Sequence, residues 1–200
     1  MLVYDQPVTA DLIQALQAYT GQPFRCTFVY YSVIVFPVAQ NFFMIYILIA
    51  LASFCIMEGI TWLTHRFVMH GFLWWLHQDH HQPHPGSFEK NDAFFFIFAI
   101  PSWLCIMLGS MNHAYWVVSI GAGITLYGLA YFVVHEIIIH QRFKLFTRSK
   151  NRYIKAIRWA HKMHHKHLDK HKGESFGMLI VAKKYWDKVR EDESLQQNNQ

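Results

Sequence analysis

The sequence predicts an all-α integral membrane protein, a bundle of three to four transmembrane helices that carries a cytoplasmic, histidine-rich helical cap. Three observations support this. Of the 200 residues, 53% are hydrophobic and only 16% are charged, which is too apolar for an ordinary soluble domain. Long runs contain no charged residue, and fourteen histidines are concentrated in short clusters. The composition excludes a disordered chain and a soluble nucleic-acid-binding protein.

Three uncharged runs account for the predicted crossings, since a crossing takes about 20 apolar residues. They extend over residues 27–57, 93–111 and 114–134. A chain of this length has too little other mass to bury three helices that are apolar on every side, so lipid must cover them. Pro37, Gln40 and Asn41 interrupt the first run. This leaves two alternatives, a single crossing near residues 42–63 or a second, shorter one before it.

We expect three parts along the chain. Residues 44–187 form the membrane domain with the histidine clusters. Residues 1–43 form an N-terminal extension of open role, an additional membrane segment being one alternative, and residues 188–200 form a polar, flexible tail. The first twenty residues include Asp5 and Asp11 but neither a basic segment nor an early apolar core, so no cleavable signal peptide is predicted.

The charge distribution predicts the orientation in the membrane. Between Gln141 and Lys172 the chain carries eleven Lys or Arg residues and one acidic residue, Asp169. The positive-inside rule places this basic segment in the cytoplasm. Attraction to anionic lipid headgroups, worth about 1 kcal/mol per basic residue, would act alongside any other role. We do not interpret the segment as a nucleic-acid site.

Ten of the fourteen histidines form four short motifs. In chain order these are His65 and His70; His77, His80 and His81; His135 and His140; and His161, His164 and His165. In each motif of three, positions i, i+3 and i+4 share one helical face, so the three imidazoles are predicted to converge where a metal could sit. Residues i and i+5 lie about 140° apart on a straight α-helix. Both histidines of a two-residue motif therefore point inward only near a helix end, at a π-bulge or toward different metals.

Membrane topology supports one common site. The two crossings between residues 93 and 134 return the chain to the side that it left, so both pairs of motifs lie at the same membrane face. Ten imidazoles are too many for one ion, so two metal ions are predicted, and imidazole suits Fe, Zn, Cu and Ni. The remaining histidines are left out of the site; they are His84, His113, His167 and His171.

Two familiar metal sites do not match this spacing. The zinc protease helix needs histidines four residues apart, whereas His135 and His140 are five apart. Soluble di-iron bundles use a Glu-x-x-His motif, which the sequence lacks. The predicted site is therefore dominated by histidine and not by carboxylate.

The four motifs, in this order and topology, resemble those of the fatty acid hydroxylase and sterol desaturase superfamily of membrane di-iron oxygenases. Within it, the chain is similar to the bacterial β-carotene hydroxylases in three short segments. These are Phe-Glu-Lys-Asn-Asp at 88–92, Ala-His-Lys-Met-His-His at 160–165 and Ser-Phe-Gly at 175–177. The resemblance covers roughly residues 44–187. One departure is Glu136, where the family usually has Asp.

The resemblance implies a catalytic site in which all ten motif histidines hold two iron ions. The implied reaction is O2-dependent hydroxylation of the β-ionone rings of β-carotene, giving β-cryptoxanthin and zeaxanthin. Each turnover needs two electrons, and the sequence has neither a Gly-x-Gly-x-x-Gly motif nor a Cys pair. The resemblance therefore implies an external ferredoxin with its reductase and a bacterial inner membrane, in which the basic segment places the metal site on the cytoplasmic side. We hypothesise that the basic segment steers an acidic electron donor.

Two alternatives stay open. The same chemistry could act on another lipid, such as a sterol or a fatty acyl chain, by hydroxylation or desaturation. A membrane carrier could instead use the histidines to hold zinc, although a transporter would be expected to carry polar residues along its crossings, and the runs 93–111 and 114–134 have only the hydroxyls of Ser, Thr and Tyr. The oligomeric state and the ring position of hydroxylation are not predicted.

Carboxylates near the motifs are expected to orient the ligands. We predict that at least one of Glu58, Glu136 and Asp92 accepts an N–H from a ligand histidine, because metal-bound imidazoles usually donate their second N–H to such a partner.

Overall fold

The fold is all-helical, as a computed structural model shows. It describes residues 36–82, 88–171 and 173–198, together with Ala18, and of residues 36–42 the backbone alone. The α-helices are α1 (Phe36–Leu63), α2 (Trp74–His81), α3 (Phe94–Met111), α4 (Tyr115–Phe132), α5 (Arg152–His165) and α6 (Lys183–Asn198). Two π-helical segments, Thr64–Phe72 and Val133–Ile139, continue α1 and α4, and a 3-10 turn, Lys90–Ala93, precedes α3.

The chain divides into two compact units, Met1–Ile47 and Leu48–Gln200. In the first unit, the described residues are Ala18 and 36–47, and they are helical. The expectation of a further membrane segment within residues 1–43 falls largely outside the described residues. The contacts reported below lie within the second unit.

Three helical segments of the described residues are long and apolar enough to cross a membrane. They are Phe43–Phe72, Lys90–Met111 and Tyr115–Ile139. Their outer faces carry large apolar side chains such as Phe95 and Leu129, which are 68% and 59% exposed. Such exposure is stable when lipid rather than water covers it. The predicted all-helical fold is confirmed, with three segments in the described part of the chain that are long and apolar enough to cross a membrane.

Two glycines allow α4 to pack closely against its neighbours. A Cβ atom at Gly123 would overlap the carbonyl oxygen of Ala50 on α1, and one at Gly121 would lie 2.8 Å from the carbonyl oxygen of Ser102 on α3. The Ser102 hydroxyl donates to the Gly121 carbonyl at 2.8 Å. Small residues at these positions let the helix backbones come into direct contact, as is common in membrane proteins.

Helices α5 and α6 form the polar cap. The side-chain oxygen of Asn151 accepts the N–H groups of Tyr153 and Ile154, which satisfies two of the free donors at the start of α5. One face of α5 packs against α6 through a small buried cluster. Its members are Ala156, Ala160, Tyr185 and Val189. This packing orients α5, which carries three of the motif histidines.

Helix α6 continues to Asn198, through most of the segment that composition alone assigns to a flexible tail. Val189 is buried against α5, and the Glu193 carboxylate pairs with Arg152 at 2.8 Å and with Lys155 at 2.9 Å. Tertiary contacts of this kind supply most helical stability in proteins. The polar composition of the segment gives no sign of them.

Candidate metal centre

The two π-helical segments bring together histidines that are five residues apart. The His140 N–H donates to the His135 carbonyl at 2.9 Å, which is the i to i+5 bond that defines a π-helix. Residues joined in this way lie one above the other, and the Nε2 atoms of these two histidines are 3.2 Å apart. His65 and His70 in the first π-helical segment likewise face one site. Of the three arrangements that the spacing left open, the structure contains the π-bulge.

Nine of the ten predicted ligands fall into two groups, and within each group one ring nitrogen from each histidine lies within 4.8 Å of those of the others. The first group consists of His65, His70, His77, His81 and His164, and the second group consists of His80, His140, His161 and His165. The tenth histidine, His135, is buried beside the second group, where it contacts His140. The structure thus brings all ten side chains to one region.

Each motif of three histidines is divided between the two groups, which corrects the expectation that its members converge on one metal. On α2, His77 and His81 belong to the first group and His80 to the second. On α5 the division is the same, with His164 separated from its two partners. Residues i and i+4 lie about 40° apart around a helix, whereas i+3 lies about 100° from i+4. The third side chain therefore points to the neighbouring group.

In the first group, four of the five imidazoles donate their Nδ1–H to uncharged oxygen atoms. The acceptors are the carbonyl oxygens of Phe176 (from His65, 3.1 Å), His167 (from His81, 3.0 Å) and Glu174 (from His164, 2.9 Å), and the side-chain oxygen of Asn91 (from His77, 2.7 Å). With the proton on Nδ1, the Nε2 lone pair of each ring is free to bind a metal.

In and beside the second group, two imidazoles donate to carboxylates instead. His80 donates its Nδ1–H to Glu89 at 2.6 Å, and the neighbouring His135 donates to Glu136 at 2.6 Å. Both carboxylates contact one guanidinium, because Arg142 lies 2.7 Å from Glu136 and 3.6 Å from Glu89. Anionic acceptors make stronger hydrogen bonds than neutral ones, so His80 and His135 are held by charged partners.

The nitrogen positions fit a bound cation. The Nε2 atom of His77 lies 3.2 Å from those of His65 and His81, although all three rings carry their proton on Nδ1. Lone pairs at this distance repel each other unless a cation lies between them. Nitrogen ligands about 2.0–2.1 Å from a metal are about 2.8–3.4 Å apart, for neighbouring ligands in octahedral or tetrahedral geometry. In the second group, His80 Nε2 is buried without a hydrogen-bond partner among the described residues.

Burial keeps these imidazoles in the form that binds metals. Loss of hydration lowers the pKa of His81 to about 4 and that of His165 to about 3, because the charged imidazolium is disfavoured in an apolar environment. Both rings are therefore neutral at physiological pH, and metal binding requires the neutral ring.

The match to known proteins follows the same part of the chain. The fatty acid hydroxylase family model covers residues 49–191, which include all ten motif histidines. The chain belongs to this family. The fatty acid hydroxylase family comprises di-iron oxygenases. The histidine-dominated site described above is compatible with iron.

Several relatives of the chain are named for the same reaction, the hydroxylation of beta-carotene. The chain is 43% identical to the beta-carotene hydroxylase of Pantoea ananas over 127 residues, 62% of this chain and 71% of the relative. It is 33% identical to the beta-carotene hydroxylase of Paracoccus sp. (strain PC1) over 148 residues, 72% and 88% of the two chains. It is 34% identical to the chloroplastic beta-carotene 3-hydroxylase 2 of Arabidopsis thaliana over 123 residues, 60% and 40% of the two chains. No solved structure matches the chain.

The sequence predicts that at least one of Glu58, Glu136 and Asp92 accepts a histidine N–H. Glu136 accepts that of His135, so the prediction is confirmed. Asp92 instead accepts the backbone N–H of Glu89 at 3.0 Å and pairs with Arg142 at 3.1 Å. It thus supports a carboxylate that holds a histidine. Glu58 also supports the histidines indirectly, through a loop.

Glu58 anchors the loop at residues 173–182 to α1. Its buried carboxylate accepts the backbone N–H groups of Met178, Leu179 and Ile180 at 2.9–3.0 Å. The same loop supplies two of the carbonyl oxygens that hold rings of the first group. A carboxylate within a membrane helix is costly unless its lone pairs are satisfied, and here they fix the loop that orients the histidines.

Sequence reasoning missed Glu89 and Asn91 as partners of histidines. Both lie in the Phe-Glu-Lys-Asn-Asp segment, so the segment that carried the resemblance also carries this function. The usable signal was a polar cluster directly after a histidine motif and before an apolar run. The backbone carbonyl partners could not have been found, because any residue provides a carbonyl.

Proposed function

We propose that this protein is a membrane monooxygenase that hydroxylates the β-ionone rings of β-carotene, forming β-cryptoxanthin and then zeaxanthin. The observation that carries the proposal is the pair of buried and half-buried histidine groups, in which Nε2 lone pairs converge while several Nδ1–H groups are held from outside. The similarity to beta-carotene hydroxylases of Pantoea ananas and Paracoccus supports the substrate class.

The two groups would hold one iron ion each. In this proposal the first ion is held by His65, His70, His77, His81 and His164, and the second by His80, His135, His140, His161 and His165. Bound there, the irons would activate O2 for attack on a C–H bond. The complete reaction consumes one O2, two electrons and two protons, and yields the C–OH product and water.

Aromatic side chains of the protein surround the first group. The Phe176 ring lies 5.2 Å from the His70 ring, and the Trp74 ring lies 5.2 Å from the same imidazole on another side. Such an apolar wall excludes water from the reacting atoms, which suppresses side reactions and strengthens the interactions that hold the ligands.

The position of the site suits a lipid-soluble substrate. His65, His70 and His135 lie within segments that are apolar and long enough to cross a membrane. A carotenoid is confined to the lipid phase, so it would reach these histidines from the bilayer and not from water. We place the enzyme in the bacterial inner membrane with the site on the cytoplasmic side, because the basic residues after α4 follow the positive-inside rule.

We propose an external ferredoxin, with its reductase, as the electron donor. Arg142 is engaged by carboxylates, so it is a poor candidate for steering the donor. Lys144, Arg148 and Lys150 are exposed on the same loop, and no carboxylate pairs with them among the described residues. Turnover with reduced ferredoxin is expected to fall as ionic strength rises, and turnover that does not depend on salt would exclude this steering.

The test of function is pigment analysis in a β-carotene-accumulating bacterium that expresses the chain. His80→Ala removes a predicted ligand, and His113→Ala is the matched control, since His113 lies in the turn between α3 and α4 and outside both groups. We expect zeaxanthin with the parent and with His113→Ala, and only β-carotene with His80→Ala. If the parent protein is present in the membrane and loaded with metal but β-carotene is unchanged, the substrate must be another lipid. Exchangeable zinc without O2 consumption would favour the metal carrier.

A further inference from the structure

The two histidine groups differ in the charge of the atoms that hold them. Four of the five histidines of the first group donate to carbonyl or amide oxygens, whereas His80 and His135 donate to the carboxylates of Glu89 and Glu136. These two carboxylates come from distant parts of the chain, the turn before α3 and the π-helical end of α4. Some group must keep two negative charges close to each other.

Arg142 is that group. Its Nε lies 2.7 Å from a Glu136 oxygen, and its terminal nitrogen Nη2 lies 3.1 Å from Asp92 and 3.6 Å from Glu89. The Arg142 backbone N–H also donates to the Glu136 carbonyl at 2.9 Å, so the residue is fixed at both ends. A planar guanidinium with several donors suits this arrangement better than the single ammonium of a lysine.

We propose that Arg142 is a positioning residue for the second metal site. By holding Glu89 and Glu136 together, it sets the orientation of His80 and His135, and the second site depends on it while the first does not. The inference rests on the proposed metal-binding function. It also makes the two sites unequal, because imidazoles that donate to carboxylates are more basic ligands than those that donate to carbonyls.

The test is anaerobic titration of the detergent-solubilised protein with ferrous iron, followed by measurement of bound metal. Arg142→Gln is compared with Arg152→Gln, which removes a guanidinium–carboxylate pair that touches no histidine. Loss of outer partners of metal ligands typically costs about 10–100-fold in affinity. We expect a loss of this size at one of the two sites in Arg142→Gln and at neither site in Arg152→Gln.

Two ligand variants assign the affected site. His161→Ala impairs the second group, so the metal that remains reports the first, and adding Arg142→Gln should change nothing further. His77→Ala impairs the first group, and adding Arg142→Gln should then weaken the remaining site by about 10–100-fold. Equal loss at both sites, loss at the first site or no loss at all would overturn the proposal.

Glu89→Gln provides a second variant in case Arg142→Gln does not fold. The amide keeps an oxygen that can accept the His80 N–H but removes the charge, so weaker binding at the second site alone is expected, and unchanged binding contradicts the inference. A parent protein that binds no iron would overturn the proposed function itself. A parent that binds two irons, with variants that bind them equally well, would overturn only the role of Arg142.

Discussion

Glu58 offers the sharpest test of how the membrane helices support the site. Replacing it with alanine removes the acceptor of three backbone N–H groups in the loop at residues 173–182, and of the Tyr127 hydroxyl, which donates to it at 2.7 Å. Glu58 is only 9% exposed. Water therefore has little access to replace these hydrogen bonds.

The size of the effect follows from the number of donors left unpaired. A buried donor without a partner costs about 1–3 kcal/mol, so three backbone N–H groups together cost about 3–9 kcal/mol. In Glu58→Gln, the remaining side-chain oxygen can still accept from the loop and the NH2 can donate to the Tyr127 oxygen. We therefore expect a cost of about 1–3 kcal/mol for that variant, the value for one altered interaction.

Thermal unfolding in detergent measures this difference. For a chain of this size, 1 kcal/mol corresponds to about 2–4 °C, so Glu58→Ala should unfold at least about 6 °C below the parent. Its iron loss should begin at the first group, because the loop orients His65 and His164. Glu191→Ala, which removes a carboxylate of the exposed face of α6, is the control. An unchanged transition in Glu58→Ala, or iron loss confined to the second group, would refute the reasoning.

Three further variants test packing and ligand orientation. Gly123→Leu should prevent membrane accumulation because its side chain meets the α1 backbone, whereas Gly128→Leu should accumulate normally, since a Cβ there has no neighbour within 4 Å; immunoblots of membranes compare them. Asn91→Leu should weaken iron binding at the first site by about 10–100-fold, and Asn91→Asp, which keeps an acceptor oxygen, should weaken it less. Val189→Asp should destabilise the α5–α6 contact by about 1–3 kcal/mol and make α6 susceptible to proteolysis. Leu195→Asp, at a position that is 52% exposed, should have neither effect.

The crossings and the set of candidate ligands could be predicted because both depend on local sequence. An uncharged run such as 93–111 needs a lipid environment wherever the rest of the chain lies. The histidine spacings also persist in any helical fold. The division of the ligands could not be predicted, because it depends on how α2 and α5 are rotated against each other.

The partners of the ligands show a different limit of sequence reasoning. Glu136 was found because it is adjacent to His135, and adjacency is visible in a sequence. Glu89 and Arg142 are 53 residues apart, and nothing in either segment indicates that they meet. Order in the segment at 188–198 was missed for the same reason, since it depends on tertiary contacts of Val189 and Glu193.

The division of α2 and α5 between the groups has a consequence for the distance between the two proposed metals. Each helix places residues i and i+4 in one group and i+3 in the other, so each helix is itself a rigid link between the groups. The groups meet where His81 and His165 stack, with ring centroids 4.5 Å apart and planes within 15°. Helical geometry can therefore set the spacing between the two groups of histidines, and it would hold them at a constant distance whether or not metals are bound.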